Sequence, residues 1–386
     1  MTTGTNPAPR LAELVTLLDR AYDPATAESW DQVGLVSGAL DQSVSRVLFA
    51  VDPSLEVIDE AITGQYDLLV THHPLLLHGI HAVADTSAKG RAVRALVRND
   101  VALYCAHTNA DAARAGVNTA LAAAVGMSDT QPIRPIPDAT LSKITVFVPP
   151  DDVASVLEAM FASGAGQLGN YDSCAFRSEG QGQFRPTVGA NPTVGQVGIL
   201  EQVGETRLEV VVPRDLAPRV VAAMVSAHPY ETAAYDVLSL VPMPGERGLG
   251  RWGRLSGRRT LADLAQHLAD RIPHTHHGIR VAGDLEASVE AVAVCGGAGD
   301  SLLQDVRKLP VQAYVTSDLR HHPATDHLAE AGCALVDIAH FAGEWLWLAD
   351  AARSLVADSA EHHWQVHGAV SELNTDPWSA HYTRST

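Results

Sequence analysis

Two adjacent histidines close an apolar run, Leu68-Leu69-Val70-Thr71-His72-His73-Pro74. Pro74 has no N–H for a ladder, so the run reads as a strand that stops there. Open α/β sheets bind ligands beyond the carboxyl ends of their strands. Two imidazoles at such an end point to metal ligation. Two more strand ends supply the other ligand types. Val101–Cys105 runs into Ala106-His107-Thr108-Asn109-Ala110-Asp111, and Ala334–Asp337 runs into Ile338-Ala339-His340, with Glu344 four residues on. An i, i+4 spacing puts His340 and Glu344 on one helix face. His72, His73, Asp111, His340 and Glu344 together offer three imidazoles and two carboxylates, a set that suits zinc, manganese or iron better than calcium or magnesium. Five ligands exceed what one tetrahedral ion needs beside a catalytic water. Two carboxylates able to bridge imply two ions, roughly 3.5–4 Å apart, as in dinuclear hydrolases.

Taken singly, each signal has an ordinary reading: a strand-end His pair, a surface His–Glu pair, a helix-start Asp. Their coincidence at strand ends favours the metal reading. Around them, His107, Thr108 and Asn109 either orient ligands, or His107 itself handles substrate or protons. His321 and His322 either face the same cleft as proton-transfer groups or are solvated loop residues. Gly296–Ser301 follows a strand and offers backbone N–H groups to a phosphate, but it has neither Walker A nor G-x-G-x-x-G spacing. His274, His276 and His277 form a tract better read as adventitious than as a site. Asp31 reads as a cap or structural residue, with Trp30-Asp31-Gln32-Val33-Gly34 packing near the site.

The elements that position these residues alternate. The spacing predicts helices over Leu11–Tyr22, Ala88–Asn99, Gly116–Val125 and Phe341–Leu355, and strands over Arg46–Val51, Leu68–Val70, Val101–Cys105, Ala291–Cys295, Ala313–Thr316 and Ala334–Asp337. Strand–helix alternation argues for an α/β fold with a largely parallel sheet. Between these halves the pattern changes. Gln131–Pro137 and Pro242–Gly250 read as linkers, and Arg247–Arg259, with five arginines, as linker and turn. The segment they bracket reads as β-α-β…β-α-β, with strands at Lys143–Val148, Arg207–Val212 and Tyr235–Leu240 around helices at Asp151–Ser163 and Leu216–Ser226, and a Gly-rich stretch, Gly164–Gly198, between. The reading is a duplicated three-layer α/β core, 1–137 and 246–386, split by an inserted ferredoxin-like α+β domain, 138–245. The strand-Thr-His-His-Pro pattern at Val70–Pro74 and its partner around Val315–Pro323 hint at the duplication.

Composition narrows the function. Lys plus Arg is 27 against 45 Asp plus Glu, a net charge of −18, which opposes a phosphate backbone and argues against nucleic acid as partner. Four cysteines with no C-x-x-C pair fit reduced thiols in a cytoplasmic protein. No apolar run reaches the ~20 residues of a membrane span, and Met1–Arg10 has no apolar core of a signal peptide.

Beside this reading stands a resemblance. Ser29-Trp-Asp-Gln-Val-Gly-Leu35, Thr71-His-His-Pro74, Ala106-His-Thr-Asn-Ala-Asp111 with Gly116-Val-Asn118, Cys295-Gly-Gly-Ala-Gly299, Asp318 with His321-His322, and Asp337-Ile-Ala-His340 with Glu344 occur in order. The chain resembles the NGG-one-interacting-factor-three-like proteins, the GTP cyclohydrolase type two homologues, from about Leu11 to about Trp378. Its insert, through Gly169-Asn-Tyr-Asp172, Gly182-Gln-Phe-Arg-Pro186, Gly189-Ala-Asn-Pro192, His228-Pro-Tyr-Glu231 and Ala234-Tyr-Asp236, resembles the PII and CutA folds. The resemblance implies two divalent metal ions per chain, at His72, His73, Asp111, His340 and Glu344. It also implies a toroidal homohexamer whose inserts cap an internal cavity. Ser317 and Ala110 stand where glycine and leucine are common, and neither change removes a ligand.

Two functions fit. The first is a metal-dependent hydrolase of a nucleotide-like small molecule, zinc being the first choice of ion. Metal-activated water would attack an electrophilic carbon, C8 of a purine for a GTP-like substrate, and His107 or His322 would carry the proton. The alternative is a non-enzymatic metal-binding or regulatory hexamer with a ligand-sensing insert.

Overall fold

Leu68, Leu69 and Val70 show no polar alternation because they lie in the middle of a mostly parallel sheet with helices on both faces. Each such fully buried side chain contributes about 1.5–3 kcal/mol. The computed structural model describes residues 7–137, 141–241 and 244–382. They fall into two units, Met1–Ile136 with Gly245–Thr386, and Pro137–Pro244.

The first unit opens with helix α1 (Leu11–Ala21) and strands β1 (Gly34–Ser37) and β2 (Arg46–Ala50). Ser54 caps helix α2 (Leu55–Thr63) by accepting the Val57 N–H. Strand β3 (Leu68–Thr71), helix α3 (Ala88–Arg98), strand β4 (Ala102–Cys105), helices α4 (Thr108–Ala112) and α5 (Val117–Val125), and strands β5 (Met127–Gln131) and β6 (Arg134–Pro137) follow. The second unit holds β7 (Leu141–Val148), α6 (Val153–Ala162), β8 (Ala175–Phe184), β9 (Glu201–Pro213), α7 (Ala217–Ala227) and β10 (Tyr235–Ser239). The chain then returns through β11 (Pro244–Leu249), β12 (Arg251–Thr260), α8 (Leu261–Ala269), β13 (Arg280–Ala282), β14 (Ser288–Ala298), α9 (Leu303–Val306), β15 (Ala313–Ser317), α10 (His321–Ala329), β16 (Ala334–Ile338), α11 (His340–Glu361) and β17 (His367–Val370).

The architecture is mixed α/β, as the alternation predicted. Two sheets, β1-β4-β3-β2-β17 and β13-β16-β15-β14-β12-β5, share one arrangement. In each, three successive strands run parallel, and the strand before them pairs antiparallel with the last. Helices α5 and α11 lie between the sheets. Val117, Trp347 and Leu348 pack with Phe49 and Val70 on one side, and Leu121 and Val125 with Val292, Val315 and Val336 on the other. Strand β17 then carries the chain back to the first sheet, parallel to β2. The second unit is one antiparallel sheet, β10-β7-β9-β8, whose Ile144, Val146, Leu208 and Val210 pack under α6 and α7.

Four expectations need correction. Gln131–Pro137 is not a bare linker: Gln131 ends β5, and Arg134–Pro137 pairs with β11 as a two-stranded ribbon. In the second expected linker, Pro244–Leu249 forms that partner strand, while Pro242 and Met243 lie outside the described residues. The arginine run is likewise a strand. From Arg251 it pairs with β14 and β5, and Arg251 itself is buried, donating to the carbonyls of Gly248, Gly250 and Ala113. Finally, the Gly-rich stretch contains a ten-residue strand, β8, held by its ladder with β9. Among the described residues no helix is long and apolar enough to cross a membrane.

Candidate metal centre

The carboxyl ends of the parallel strands of both sheets deliver one cluster. Beyond β3, the His72 and His73 N–H groups donate to the carbonyls of Ala50 (3.1 Å) and Val51 (2.8 Å), which extends the ladder and fixes the histidine backbone. Asp52 follows β2, and His107 and Asp111 follow β4. From the second sheet come Gly296 and Gly297 at the end of β14, Asp318 after β15, and His340 and Glu344 at the start of α11.

Glu344 is the hub. It is 2% exposed, and its Oε1 lies 3.3 Å from His72 Nε2 and 2.9 Å from His340 Nε2. Its Oε2 lies 3.0 Å from His73 Nε2. The Nε2 atoms of His73 and His340 are 3.3 Å apart. Asp111 Oδ1 lies 3.9 Å from His72 Nε2. In each of two groups, His72-His73-His107 and His73-His340-Glu344, the ligand atoms lie within 4.8 Å of one another, and both groups include His73. The structure thus brings together all five sequence-predicted ligands, and it adds His107.

Each imidazole is aimed from behind. Nδ1 of His72 donates to the Ala106 carbonyl (2.9 Å), which fixes its tautomer. Nδ1 of His73 donates to Asp52 (2.7 Å), that of His340 to Asp318 (2.7 Å), and that of His107 to Asp31 (2.8 Å). All four Nε2 atoms are thereby left facing the cluster, the arrangement by which an outer carboxylate or carbonyl orients a metal-binding imidazole. Sequence reasoning assigned no such role to Asp52, and it read Asp31 as a cap. For Asp52, a carboxylate just past the end of β2 was the available signal. Asp318 holds its position with φ +56°, a conformation that Asp tolerates better than most residues. Its carboxyl is held below the usual range by the His340 hydrogen bond, against burial.

Electrostatics follow from three imidazoles around a buried carboxylate. Burial alone would raise Glu344, but the charges of His73, His340 and His72 outweigh it and hold the carboxyl well below its usual range. Burial alone would lower the histidines. The Glu344 charge outweighs it only together with the hydrogen bonds to Glu344 and the second carboxylate beside each ring (Asp52 for His73, Asp318 for His340, Asp111 for His72), so His73 is pushed up to about 10 and His340 to about 11, and His72 also rises. Burial raises Asp111.

Three buried atoms, His72 Nε2, Asp111 Oδ1 and Glu344 Oε2, make no hydrogen bond of acceptable geometry. Buried polar atoms are nearly always paired, and these three are all metal-ligand atoms at one place. The donor set therefore fits divalent metal. Room is kept for it by Gly297. At φ +67°, a Cβ there would sit 2.7 Å from Glu344 Oε1 and 3.4 Å from His340 Nε2. The glycine loop thus serves close approach to the ligands. Its neighbour Gly296 is tied across the molecule by Asn118. That fully buried amide accepts the Gly296 N–H (2.9 Å) and donates to the Asp111 carbonyl (2.9 Å).

A cavity of about 370 Å³ opens on the Asp111–Glu344 side, and Trp30, His107, Arg134 and Gly297 contribute to its wall. Trp30 is 56% exposed and meets the His107 ring edge-on, 5.8 Å between centroids. A second cavity of about 370 Å³ lies on the His73–His340 side, with Asp52 and Asp318 in its wall. His322 is not brought in. It stands exposed on the first turn of α10, edge-on to His321, and lines neither cavity. Of the tract, His277 bonds Asp337 (3.1 Å).

Comparison with known proteins finds relatives along nearly the whole chain. The family described as Duf34/NIF3 (NGG1p interacting factor 3) matches residues 9–377. A Mycobacterium leprae protein called GTP cyclohydrolase 1 type 2 homolog is 44% identical over 373 residues, 96% of this chain and 95% of that one. The Mycobacterium tuberculosis protein of the same name is 45% identical over 371 residues, covering 96% and 97%. Among solved structures, a Bacillus cereus protein related to NIF3 is 36% identical with a TM-score of 0.77, covering 96% of this chain and 99% of that one. A Staphylococcus aureus protein is 28% identical with a TM-score of 0.84, covering 97% and 99%.

Proposed function

We infer the function of this chain from its place in the Duf34/NIF3 family, to which it belongs along residues 9–377. The reading is a dinuclear divalent-metal-dependent hydrolase of a nucleotide-like small molecule. One observation carries it: His72, His73 and His340 converge on the Glu344 carboxylate at 2.9–3.3 Å, and three buried ligand atoms there, on His72, Asp111 and Glu344, lack hydrogen-bond partners. His72, His73, Asp111, His340 and Glu344 would hold the ions, with zinc, manganese or iron matching their donor types. When bound, such ions lower the pKa of water toward neutrality and polarise the bond under attack.

The chain's own residues do the rest. Asp31 fixes His107 through Nδ1 and leaves its Nε2 free at the cavity, where it accepts and returns a proton. Trp30 offers an exposed ring face to a base within the same cavity, whose wall also includes Arg134, held in an ion pair with Asp305 (2.7 Å). The names of the mycobacterial relatives support a nucleotide-like substrate. The second unit's order, β-α-β-β-α-β with strands arranged β10-β7-β9-β8, supports a ferredoxin-like reading of the insert.

The test is turnover of a nucleotide panel by metal-reconstituted protein. His107→Gln is expected to keep its metal and lose about 10²–10⁴-fold in kcat. Absence of turnover by fully metal-loaded wild type across the panel would contradict the hydrolase.

A further inference from the structure

Three sequence motifs of the second unit have no part in the metal centre: Gly182–Pro186, Gly189–Pro192 and His228–Glu231. They are far apart in the chain, yet all three contribute to the wall of one cavity of about 290 Å³. Its walls are fixed by specific bonds. His228 is buried, and its Nε2 donates to the Phe147 carbonyl (2.9 Å) while its Nδ1 accepts the Tyr230 N–H (3.1 Å). This staples the turn that presents Tyr230 and Glu231. The loop opposite is tied to the same turn twice. The Asn191 N–H donates to Glu231 Oε2 (2.9 Å), and the Thr193 hydroxyl donates to the Pro229 carbonyl (2.8 Å).

The lining has a definite chemistry. Phe184 and Tyr230 form a tilted aromatic pair with centroids 6.1 Å apart. Glu205 and Glu231 add two carboxylates. Glu205 is seated where Gly182 leaves room, since a Cβ at 182 would come 2.0 Å from its Oε2. Arg185 is the one basic residue among the described residues of this wall, so the carboxylates outnumber it by one. Aromatic faces and carboxylates both attract positive charge, and a net charge of −18 reinforces that sign. A cavity near the lower end of small-molecule size limits the occupant to a few rings or a short chain.

We propose that the second unit carries a binding site for a small organic cation, an amine or amidine, seated against Phe184 and Tyr230 with its charge on Glu205 and Glu231. The proposal is independent of the metal reading, because no residue of the cavity belongs to the metal centre.

The experiment uses the full chain and three probes, tyramine, agmatine and benzamidine, each against an anion of similar size, 4-hydroxyphenylacetate, 5-aminovalerate blocked at its amine, and benzoate. Binding is followed by ligand-observed NMR and calorimetry. At least one cation is expected to bind while its anionic counterpart does not. The double variant Glu205→Gln, Glu231→Gln is expected to lose about tenfold or more in that affinity, with metal content unchanged. Failure of all three cations to bind, equal binding of the anions, or undiminished binding by the double variant would overturn the proposal. The cation-against-anion comparison needs only wild type, so it stands even if a variant misfolds.

Discussion

The Nε2 atoms of His73 and His340 lie 3.3 Å apart although 267 residues separate them in the chain. Each is aimed by its own carboxylate, Asp52 on one sheet and Asp318 on the other. The candidate metal centre is therefore a junction between the two sheets, and what disturbs either aiming carboxylate should be read out in metal affinity.

Asp52→Asn and Asp318→Asn keep side-chain shape and remove the charge behind an imidazole. Each is expected to weaken metal binding about 10–100-fold with little loss of fold. Competition against a chromophoric chelator measures it. Affinities within twofold of wild type would show that neither carboxylate matters.

Metal loading should release protons. In the metal-free protein His73 titrates at about 10 and His340 at about 11, so both carry a proton at neutral pH. A metal needs each as the neutral imidazole. Calorimetric titration in two buffers of different ionisation enthalpy is expected to show net proton release at pH 7.5, and apparent affinity is expected to climb with pH.

The same shifts set the stability of the metal-free form. A histidine whose folded-state pKa is raised stabilises the fold below its unfolded value of about 6.5. That contribution is lost as pH climbs through the folded values, about 10 and about 11 for His73 and His340. Chelated protein is expected to lose denaturant resistance across that window, and metal-loaded protein to lose less. Equal curves for the two forms would contradict it.

Gly297→Ala puts a Cβ 2.7 Å from Glu344 Oε1 at a φ of +67°. The left-handed conformation alone costs about 1–2 kcal/mol. Reduced metal occupancy is the expected mark, seen by elemental analysis beside a near-normal far-ultraviolet spectrum.

Asn118→Leu would strand the Gly296 N–H and the Asp111 carbonyl, both now bonded to this amide. Two unpaired buried groups cost about 1–3 kcal/mol each. Chemical denaturation is expected to show a loss of that order. A variant as stable as wild type would mean that the bridge is incidental.

Much of this arrangement was legible because it is local. The apolar run ending at His72, the strand running into Asp111, and the four-residue step from His340 to Glu344 each place a side chain by short-range pattern alone. What was not legible depends on distant partners. Strand β8 has little apolar alternation and exists through its ladder with β9. The arginines from Arg251 onward look like a solvated turn until β14 and β5 pair with them, and Arg251 is buried only because three carbonyls receive it. Asp31 resembles a cap, and its bond to His107, 76 residues away, appears only in the folded chain. His322 sits beside a motif-like His321, yet its place on α10 turns it to solvent.

Whether the cluster holds two ions is decided by elemental mass spectrometry of untagged protein beside Asp111→Ala and Glu344→Ala. About two equivalents of zinc, manganese or iron are expected per wild-type chain, falling in both variants. Wild-type protein without stoichiometric metal, even after reconstitution, would contradict a two-ion centre.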